Sequence, residues 1–209
     1  MFYTPRMSTG KSRRDQFSEA TRAALLAAAT RRFATLGFAG TSLEDVAADI
    51  QATRGAVYHH FSSKKALFEA VFEELETEAV RRSAEAGRRG TDPWQRALLA
   101  LDIFLTTCTD PVYGRIVWQE APIAMGWVRW EELENKFAFG LIEDHVHALV
   151  EGGYVEPLPV ETMSRLAFSM LGAAGQALSR AAEADKPRVR EEYRTVIGRM
   201  LAGLAVPQN

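Results

Sequence analysis

Cysteines, long apolar runs and a secretory signal are scarce or missing in this 209-residue sequence. Its single cysteine, Cys108, excludes an intramolecular disulfide framework and fits a reducing cytoplasm. No apolar run approaches the length of a membrane span. Residues 1–8 lack the apolar segment of a secretory signal, and Met1 and Met7 both remain open as the native start. We therefore expect a cytoplasmic protein with no membrane partner.

The sequence also lacks the motifs that mark common catalytic and cofactor sites. It contains no P-loop, no dinucleotide-binding glycine fingerprint and no nucleophile elbow. His145 and His147 are two residues apart, so a helix places them on nearly opposite sides. His147 can meet Glu143 or Asp144 on one helix face, but a metal site in a helix bundle needs a second such pair, which is missing. We expect no metal, no cofactor and no catalytic residue.

Charge is divided unevenly along the chain, whose net charge is −2. Residues 1–65 carry ten Lys or Arg against five Asp or Glu, which gives +5 and leaves −7 for the remainder. A basic small lobe attached to an acidic larger one is typical of a protein that presents one end to a polyanion.

Apolar residues recur with helical spacing, and no strand pattern is visible, so the sequence predicts an all-α protein. We expect a disordered basic arm at residues 1–17, three helices at 18–65 and a larger helical domain at 66–206. One continuous helix over residues 63–86 joins the two lobes. The expected helices of the larger domain begin at Pro93, Pro111, Trp127, Val160 and Pro187.

The stretch from Thr41 to Phe68 predicts two short helices joined by a tight turn. In the first helix the apolar residues are spaced by three and four, and Thr41 or Ser42 is placed to cap it. Thr53 is placed to cap the second helix, Arg54 to Phe61. That helix directs basic, aromatic and very small side chains outward, as a helix in a DNA major groove requires: Arg54, Gly55, Tyr58 and His59.

This stretch resembles the DNA-binding domain of the TetR family of one-component transcriptional regulators. The resemblance covers roughly residues 21–75 and rests on two spaced runs: Gly37, Phe38, Thr41, Ser42, Leu43, Val46 and Ala47, then Gly55, Val57, Tyr58, His60, Phe61, Ser63, Lys64 and Leu67. The turn departs from the family pattern, because Ile50-Gln51 replaces Ala-Gly. Gln51 lacks glycine's freedom at positive φ, so this turn is expected to be strained or differently bent.

The resemblance implies a helix-turn-helix domain at residues 18–65 that binds double-stranded DNA. We expect Arg54 to read a base edge, with guanine as the favoured partner, and Ala56 and His59 to contact groove atoms. Phosphates are expected to be held by Thr41, Ser42, Tyr58, His60 and Lys64. For Tyr58 and His60, packing within the domain is the alternative.

The acidic lobe has a surplus of aromatic and methionine residues, which either fill a core or line a cavity. In the second case we expect an apolar ligand, a class that includes aromatic and cationic compounds, to sit among Phe104, Trp118, Trp127, Phe137 and Phe168. The candidate polar groups of such a cavity are Gln119, Glu120 and His145. The sequence does not identify the ligand.

The last two helices combine a smooth face of small residues around Gly175 with an apolar final helix. The alternatives are internal packing in a monomer and, as the resemblance implies, pairing with a second subunit in an isologous four-helix bundle. The expected function is that of a homodimeric, ligand-responsive repressor of a palindromic operator. The alternative is a helical small-molecule-binding protein or enzyme without a role at DNA.

Overall fold

The computed structural model describes residues 13–206, and their regular structure is helical apart from one isolated antiparallel bridge between Val155 and Ala205. This confirms the all-α prediction. The α-helices follow one another as α1 (Arg13–Leu36), α2 (Leu43–Asp49), α3 (Arg54–His60), α4 (Lys64–Gly87), α5 (Pro93–Cys108), α6 (Pro111–Tyr113), α7 (Ala121–Met125), α8 (Trp127–Glu134), α9 (Gly140–Glu151), α10 (Val160–Arg180) and α11 (Lys186–Ala202). A π-helical segment, Gly114–Glu120, joins α6 to α7, and another, Asn135–Phe139, joins α8 to α9.

The first helix begins earlier than the sequence predicted. Residues 13–17, expected in a disordered arm, belong to α1. No Gly or Pro interrupts the chain from Arg13 to Leu36, and Asp15 lies in the first turn, where a negative charge favours the helix dipole. The remainder of the expected arm, residues 1–12, lies outside the described residues.

Helices α1, α2 and α3 share one small core with the start of α4. Leu43 and Val46 of α2 and Val57 of α3 are buried in it together with Phe33 of α1. Ser42 caps α2 by accepting the Asp45 N–H, which decides between the two caps that the sequence offered. Thr53 caps α3 by accepting the Ala56 N–H, as expected.

The turn between α2 and α3 is strained at the position where the sequence departs from the family pattern. Gln51 has a φ of 56°, and among the described residues it alone, apart from glycines, has a positive φ. This is the left-handed region, which costs a residue with a side chain roughly 1–2 kcal/mol. The turn therefore keeps its shape at the expense of stability.

Helix α4 runs from one lobe into the other. Ser63 caps its start by accepting the Ala66 N–H. Its first half packs against α1, where the rings of Phe68 and Phe33 meet edge to face at 4.9 Å between centroids. Its second half packs along α5. A single rigid helix thus contributes to both cores.

In the larger lobe α5, α7 and the two π-helical segments pack against α4, and α9, α10 and α11 pack in turn against α5, with a cavity between the helices. Pro122 lies in the first turn of α7, where its missing N–H costs little. The helix expected to begin at Trp127 runs on to Glu151, but the π-helical segment Asn135–Phe139 divides it into α8 and α9. That segment shifts the direction in which the following side chains point.

None of the helices within residues 13–206 is both long and apolar enough to cross a membrane. Over the same range, no three His, Cys, Asp or Glu side chains are grouped so that they could hold a metal ion. Cys108 is fully buried.

Candidate nucleic-acid interface and ligand cavity

The outward face of α3 carries the exposed side chains of Arg54, Tyr58 and His59. Arg54 Nε lies 3.2 Å from Glu44 Oε1 on α2, and Arg54 Cζ lies 5.4 Å from the centre of the Tyr58 ring. The Tyr58 hydroxyl donates a hydrogen bond to the same Glu44 oxygen at 3.3 Å. A protruding guanidinium is therefore oriented by a carboxylate on α2 and by an aromatic ring on its own helix.

Burial of the opposite side of α3 fixes this orientation. Val57 is fully buried and Phe61 nearly so, which leaves Ala56 and His60 half-buried at the edge of the face. Burial lowers the pKa of His60, and the charges of His59 and Arg22 act in the same direction. The neutral form of His60 is therefore favoured in the free protein, and its ring N–H can donate a hydrogen bond to a phosphate.

The expected phosphate contacts differ in their availability. Thr41 is 2% exposed and its hydroxyl donates to the Gly37 carbonyl at 2.9 Å, so the structure removes it from the candidate set. Ser42 is half-buried, and its hydroxyl donates to Asp45 Oδ2 at 2.7 Å. Lys64 Nζ donates to the Phe38 carbonyl at 2.8 Å and lies 4.4 Å from the centre of that residue's ring. Lys64 thus holds the loop before α2 in addition to presenting a charge.

A cavity of about 430 Å³ lies between the helices of the larger lobe. Four of the five predicted ligand residues line it: Phe104, Trp118, Trp127 and Phe168. The fifth, Phe137, is not part of the wall and packs against the core instead, with Lys136 Nζ 4.7 Å from its ring centre. Phe137 lies in the π-helical segment, so a continuous α-helical stripe misplaces it.

Two buried carboxyl groups on the cavity wall, Glu76 of α4 and Glu134 of α8, were missed by the sequence reasoning. Burial raises the pKa of Glu76 to about 7, against the opposing effect of the hydrogen bond that the Tyr113 hydroxyl donates to it at 2.6 Å. Burial, and then the charge of Glu76, raise the pKa of Glu134 well above its usual value. A signal was present, since Glu76 stands four residues after Phe72 and Glu134 four after Trp130, both on apolar stripes.

The three polar groups expected in a cavity lie in different places. His145 is on the cavity wall, and burial lowers its pKa, so it is neutral at pH 7. Gln119 faces α10, where its side-chain amide donates to the Ser179 carbonyl. Glu120 faces the basic lobe: its Oε2 accepts the Phe38 N–H at 2.8 Å, and a Cβ added at Gly37 would collide with it. Glu120 is a contact between lobes and not a ligand group.

An exposed apolar face runs along α10 and α11. Leu166, Val196 and Met200 are each more than half exposed on it. Gly175, which was expected on the helix face that pairs with a second subunit, is buried within the chain instead. A Cβ at this position would collide with the Trp118 indole. Its small size makes room for Trp118 within one chain.

Comparison with known families adds to this geometry. The family pattern described as the tetracyclin repressor-like C-terminal domain matches residues 94–204, more than half of the chain. The chain belongs to the TetR family. A second TetR pattern, described as bacterial regulatory proteins of the tetR family, matches residues 25–71, which contain α2 and α3. The resemblance drawn from the helix-turn-helix residues is confirmed.

Individual TetR relatives are similar over different lengths. The HTH-type transcriptional repressor Rv3405c of Mycobacterium tuberculosis is 38% identical over 78 residues, which cover 37% of this chain and 42% of that protein. The match therefore spans less than half of that relative. The repressor AcnR of Corynebacterium diphtheriae is 29% identical over 154 residues, 68% of this chain and 79% of its own. The crystal structure of a TetR-family transcriptional regulator from Pectobacterium atrosepticum is 26% identical in sequence to this chain. The superposition covers 95% of this chain and 100% of the other chain, with a TM-score of 0.80.

Proposed function

We propose that this TetR protein is a homodimeric transcriptional repressor that reads a palindromic operator through α3 and releases it when a small hydrophobic ligand fills the cavity. The observation that carries the proposal is the exposed, pre-oriented Arg54 on α3 of a TetR helix-turn-helix. Two relatives, Rv3405c and AcnR, are named as HTH-type transcriptional repressors. The proposed role places the protein at cytoplasmic DNA and requires no cofactor or catalytic residue.

Arg54 stands at the first residue of α3, the end of a recognition helix that contacts base edges. Its partner in the free protein is Glu44, and both side chains are substantially exposed. An exposed ion pair contributes at most about 1 kcal/mol, so it can be exchanged for a bidentate contact to guanine, which discriminates by about 1–3 kcal/mol. Ala56 and His59 are proposed to contact neighbouring groove atoms.

Phosphate contacts are proposed for Ser42, Tyr58, His60 and Lys64, each of which is exposed or half-buried. Contacts of this kind position a protein on the duplex and weaken with salt. The basic lobe of residues 18–65 is proposed as the DNA-binding domain, and residues 66–206 as the ligand-binding and dimerisation domain.

The exposed apolar face of α10 and α11 is proposed as the dimer seam. Leu166, Val196 and Met200 would be covered by the same face of a second copy, which gives a two-fold symmetric bundle of four helices. A two-fold dimer presents its two α3 helices to half-sites about one helical turn apart, ~34 Å. The operator is therefore expected to be palindromic.

Release is proposed to pass through two connections between the lobes. Helix α4 carries Phe68 in the core of the basic lobe and Glu76 on the cavity wall. The π-helical segment carries Trp118 on the cavity wall and, two residues later, Glu120 against Phe38. A ligand shifts the equilibrium between two states only by its differential affinity for them, so a coupling of about 1–3 kcal/mol is expected.

Selection from a random pool of duplex DNA with the purified protein tests the proposal. Enrichment of a palindrome with half-sites about one turn apart supports it. A pool that remains random after repeated rounds, with DNA retained only at low salt, would favour the alternative of a helical small-molecule-binding protein without a role at DNA.

A further inference from the structure

Among the described residues, the cavity wall carries three carboxyl groups and no Lys or Arg. Glu76 and Glu134 are only 2% and 5% exposed, and the more exposed Glu131 also belongs to the wall. Burial disfavours the ionised form of these acids, as the raised pKa values of Glu76 and Glu134 show, and a cationic guest would favour it by supplying the charge that the wall lacks.

The two buried carboxyl groups differ in their hydrogen bonding. Glu76 Oε1 accepts the Tyr113 hydroxyl at 2.6 Å. Glu134 Oε1 is fully buried and has no hydrogen-bond partner within the described part of the chain. Leaving a buried acceptor unsatisfied costs about 1–3 kcal/mol, so this oxygen is the natural position for a donor brought by the ligand.

Three tryptophans on the wall provide aromatic surface beside these acids. The rings of Trp118 and Trp130 meet edge to face at 5.8 Å, and those of Trp127 and Trp130 lie 4.7 Å apart with an interplanar angle of 57°. Aromatic faces attract cations, tryptophan most strongly, and they also accept the apolar body of a ligand.

We propose that the cavity selects small organic cations, in which a protonated amine donates to Glu134 Oε1 beside Glu76 while an apolar body packs against the tryptophans. The proposal rests on the proposed function only in taking this cavity as the ligand site. A bare metal ion fits poorly: although Glu131 and His145 also line the cavity, no three His, Cys, Asp or Glu side chains within residues 13–206 are grouped closely enough to hold one. The volume of about 430 Å³ suits a small molecule.

The test compares three probes that share one naphthalene body and differ in the polar group. They are 2-(1-naphthyl)ethylamine, which is protonated at pH 7.5, the neutral 2-(1-naphthyl)ethanol and the anion 1-naphthylacetate. Isothermal titration calorimetry of the full chain should show that the amine binds at least about tenfold more tightly than the alcohol and that the anion binds most weakly. The alcohol also donates a hydrogen bond, so this difference reports the charge.

Two isosteric variants assign the selectivity to the acids. Glu134→Gln and, separately, Glu76→Gln should each weaken amine binding about tenfold and change alcohol binding by less than about threefold. Glu74→Gln is the matched control, since it removes one exposed carboxylate from α4, two residues from Glu76, and should change neither. Circular dichroism melts confirm that each variant is folded.

Equal or tighter binding of the alcohol, no binding of any probe, or unchanged selectivity in both Gln variants would overturn the proposal. Specific DNA binding is measured on the same preparations without probe. Its absence would refute the proposed function and leave the cation selectivity standing, whereas its presence with no preference for the amine would refute the cation selectivity alone.

Discussion

The carboxylate of Glu120 accepts the backbone N–H of Phe38 at 2.8 Å, across the boundary between the basic lobe and the cavity-bearing lobe. Phe38 lies in the loop that precedes α2, and its carbonyl accepts Lys64 Nζ. Glu120 is two residues from Trp118 on the cavity wall. In the proposed mechanism, a ligand that moves Trp118 would act through Glu120 on the loop that precedes the helix-turn-helix.

Replacing Glu120 by Ala should uncouple the two sites. In the wild-type protein, saturating 2-(1-naphthyl)ethylamine is expected to weaken operator binding by about 5- to 150-fold. In Glu120→Ala this factor should shrink, and folding stability should fall by about 1 kcal/mol or more, because the hydrogen bond from Phe38 and the ion pair with Arg115 are both lost. Anisotropy titrations of labelled operator with and without the amine measure the factor. The control Glu120→Gln keeps an acceptor oxygen and should retain more of the ligand effect on operator binding. If the amine weakens operator binding as much in Glu120→Ala as in the wild type, the contact between Glu120 and Phe38 does not couple the two sites.

Replacing Gln51 by Gly should stabilise the protein by about 0.5–1 kcal/mol. Relief of the left-handed strain at φ 56° exceeds the cost of glycine's larger freedom in the unfolded chain. Urea denaturation measures the difference. The control, Ala27→Gly at an exposed position inside α1, should lose about 1 kcal/mol, since the helix gains nothing from glycine there. A loss of stability in Gln51→Gly would show that the turn is unstrained.

Stability should fall as pH rises from about 5 to 8. In the unfolded chain Glu76 loses its proton around its ordinary pKa of 4.5. In the folded protein its pKa is raised to about 7, so it keeps the proton over the pH range between these two values. The unfolded state then binds fewer protons, and this group alone removes on the order of 3 kcal/mol at most. Glu134 acts in the same direction, because burial raises its pKa also.

The variant Glu76→Gln should flatten this dependence, since the amide does not titrate. Urea denaturation at pH 5 and pH 8 measures it, with Glu74→Gln as the control that keeps the wild-type slope. Equal slopes in Glu76→Gln and the wild type would show that Glu76 is ionised in the folded protein throughout.

Introducing a charge on the exposed face of α11 should produce monomers. Val196 is 55% exposed in the single chain, and burying an arginine there against a second copy would leave it without a partner. Sedimentation velocity should show a dimer for the wild type and a monomer for Val196→Arg. Ile123→Arg, the same kind of change at a residue that is 80% exposed on α7, should stay dimeric. A dimer in Val196→Arg would place the interface elsewhere.

The helix-turn-helix was predictable because each of its features is local. Ser42 and Thr53 precede their helices as caps, and Val46 and Val57 fall on apolar stripes, so spacing alone assigns their direction. A strained or differently bent turn was expected because Gln51 stands where the family pattern has glycine, and Gln51 has a positive φ in the structure.

The cavity was predicted less well because its geometry depends on contacts between distant parts of the chain. Phe137 was assigned to the wall by continuing an α-helical stripe through a segment that is π-helical. Gly175 was assigned to the dimer seam by its size, although the reason for its size is the Trp118 indole, 57 positions away. Glu120 finds its partner across the lobe boundary, which no local pattern reveals.

Sequence-specific DNA binding through Arg54 is the central claim, and anisotropy titrations of the selected palindrome and a scrambled duplex at physiological salt test it most directly. The wild type should prefer the palindrome by at least about 10³-fold. Arg54→Ala should lose about 1–3 kcal/mol on the palindrome and far less on the scrambled duplex. The control Arg82→Ala, which removes an exposed charge from α4, should match the wild type on both. Equal losses on the two duplexes for Arg54→Ala would contradict base reading, and equal wild-type affinities for them would contradict the proposed function.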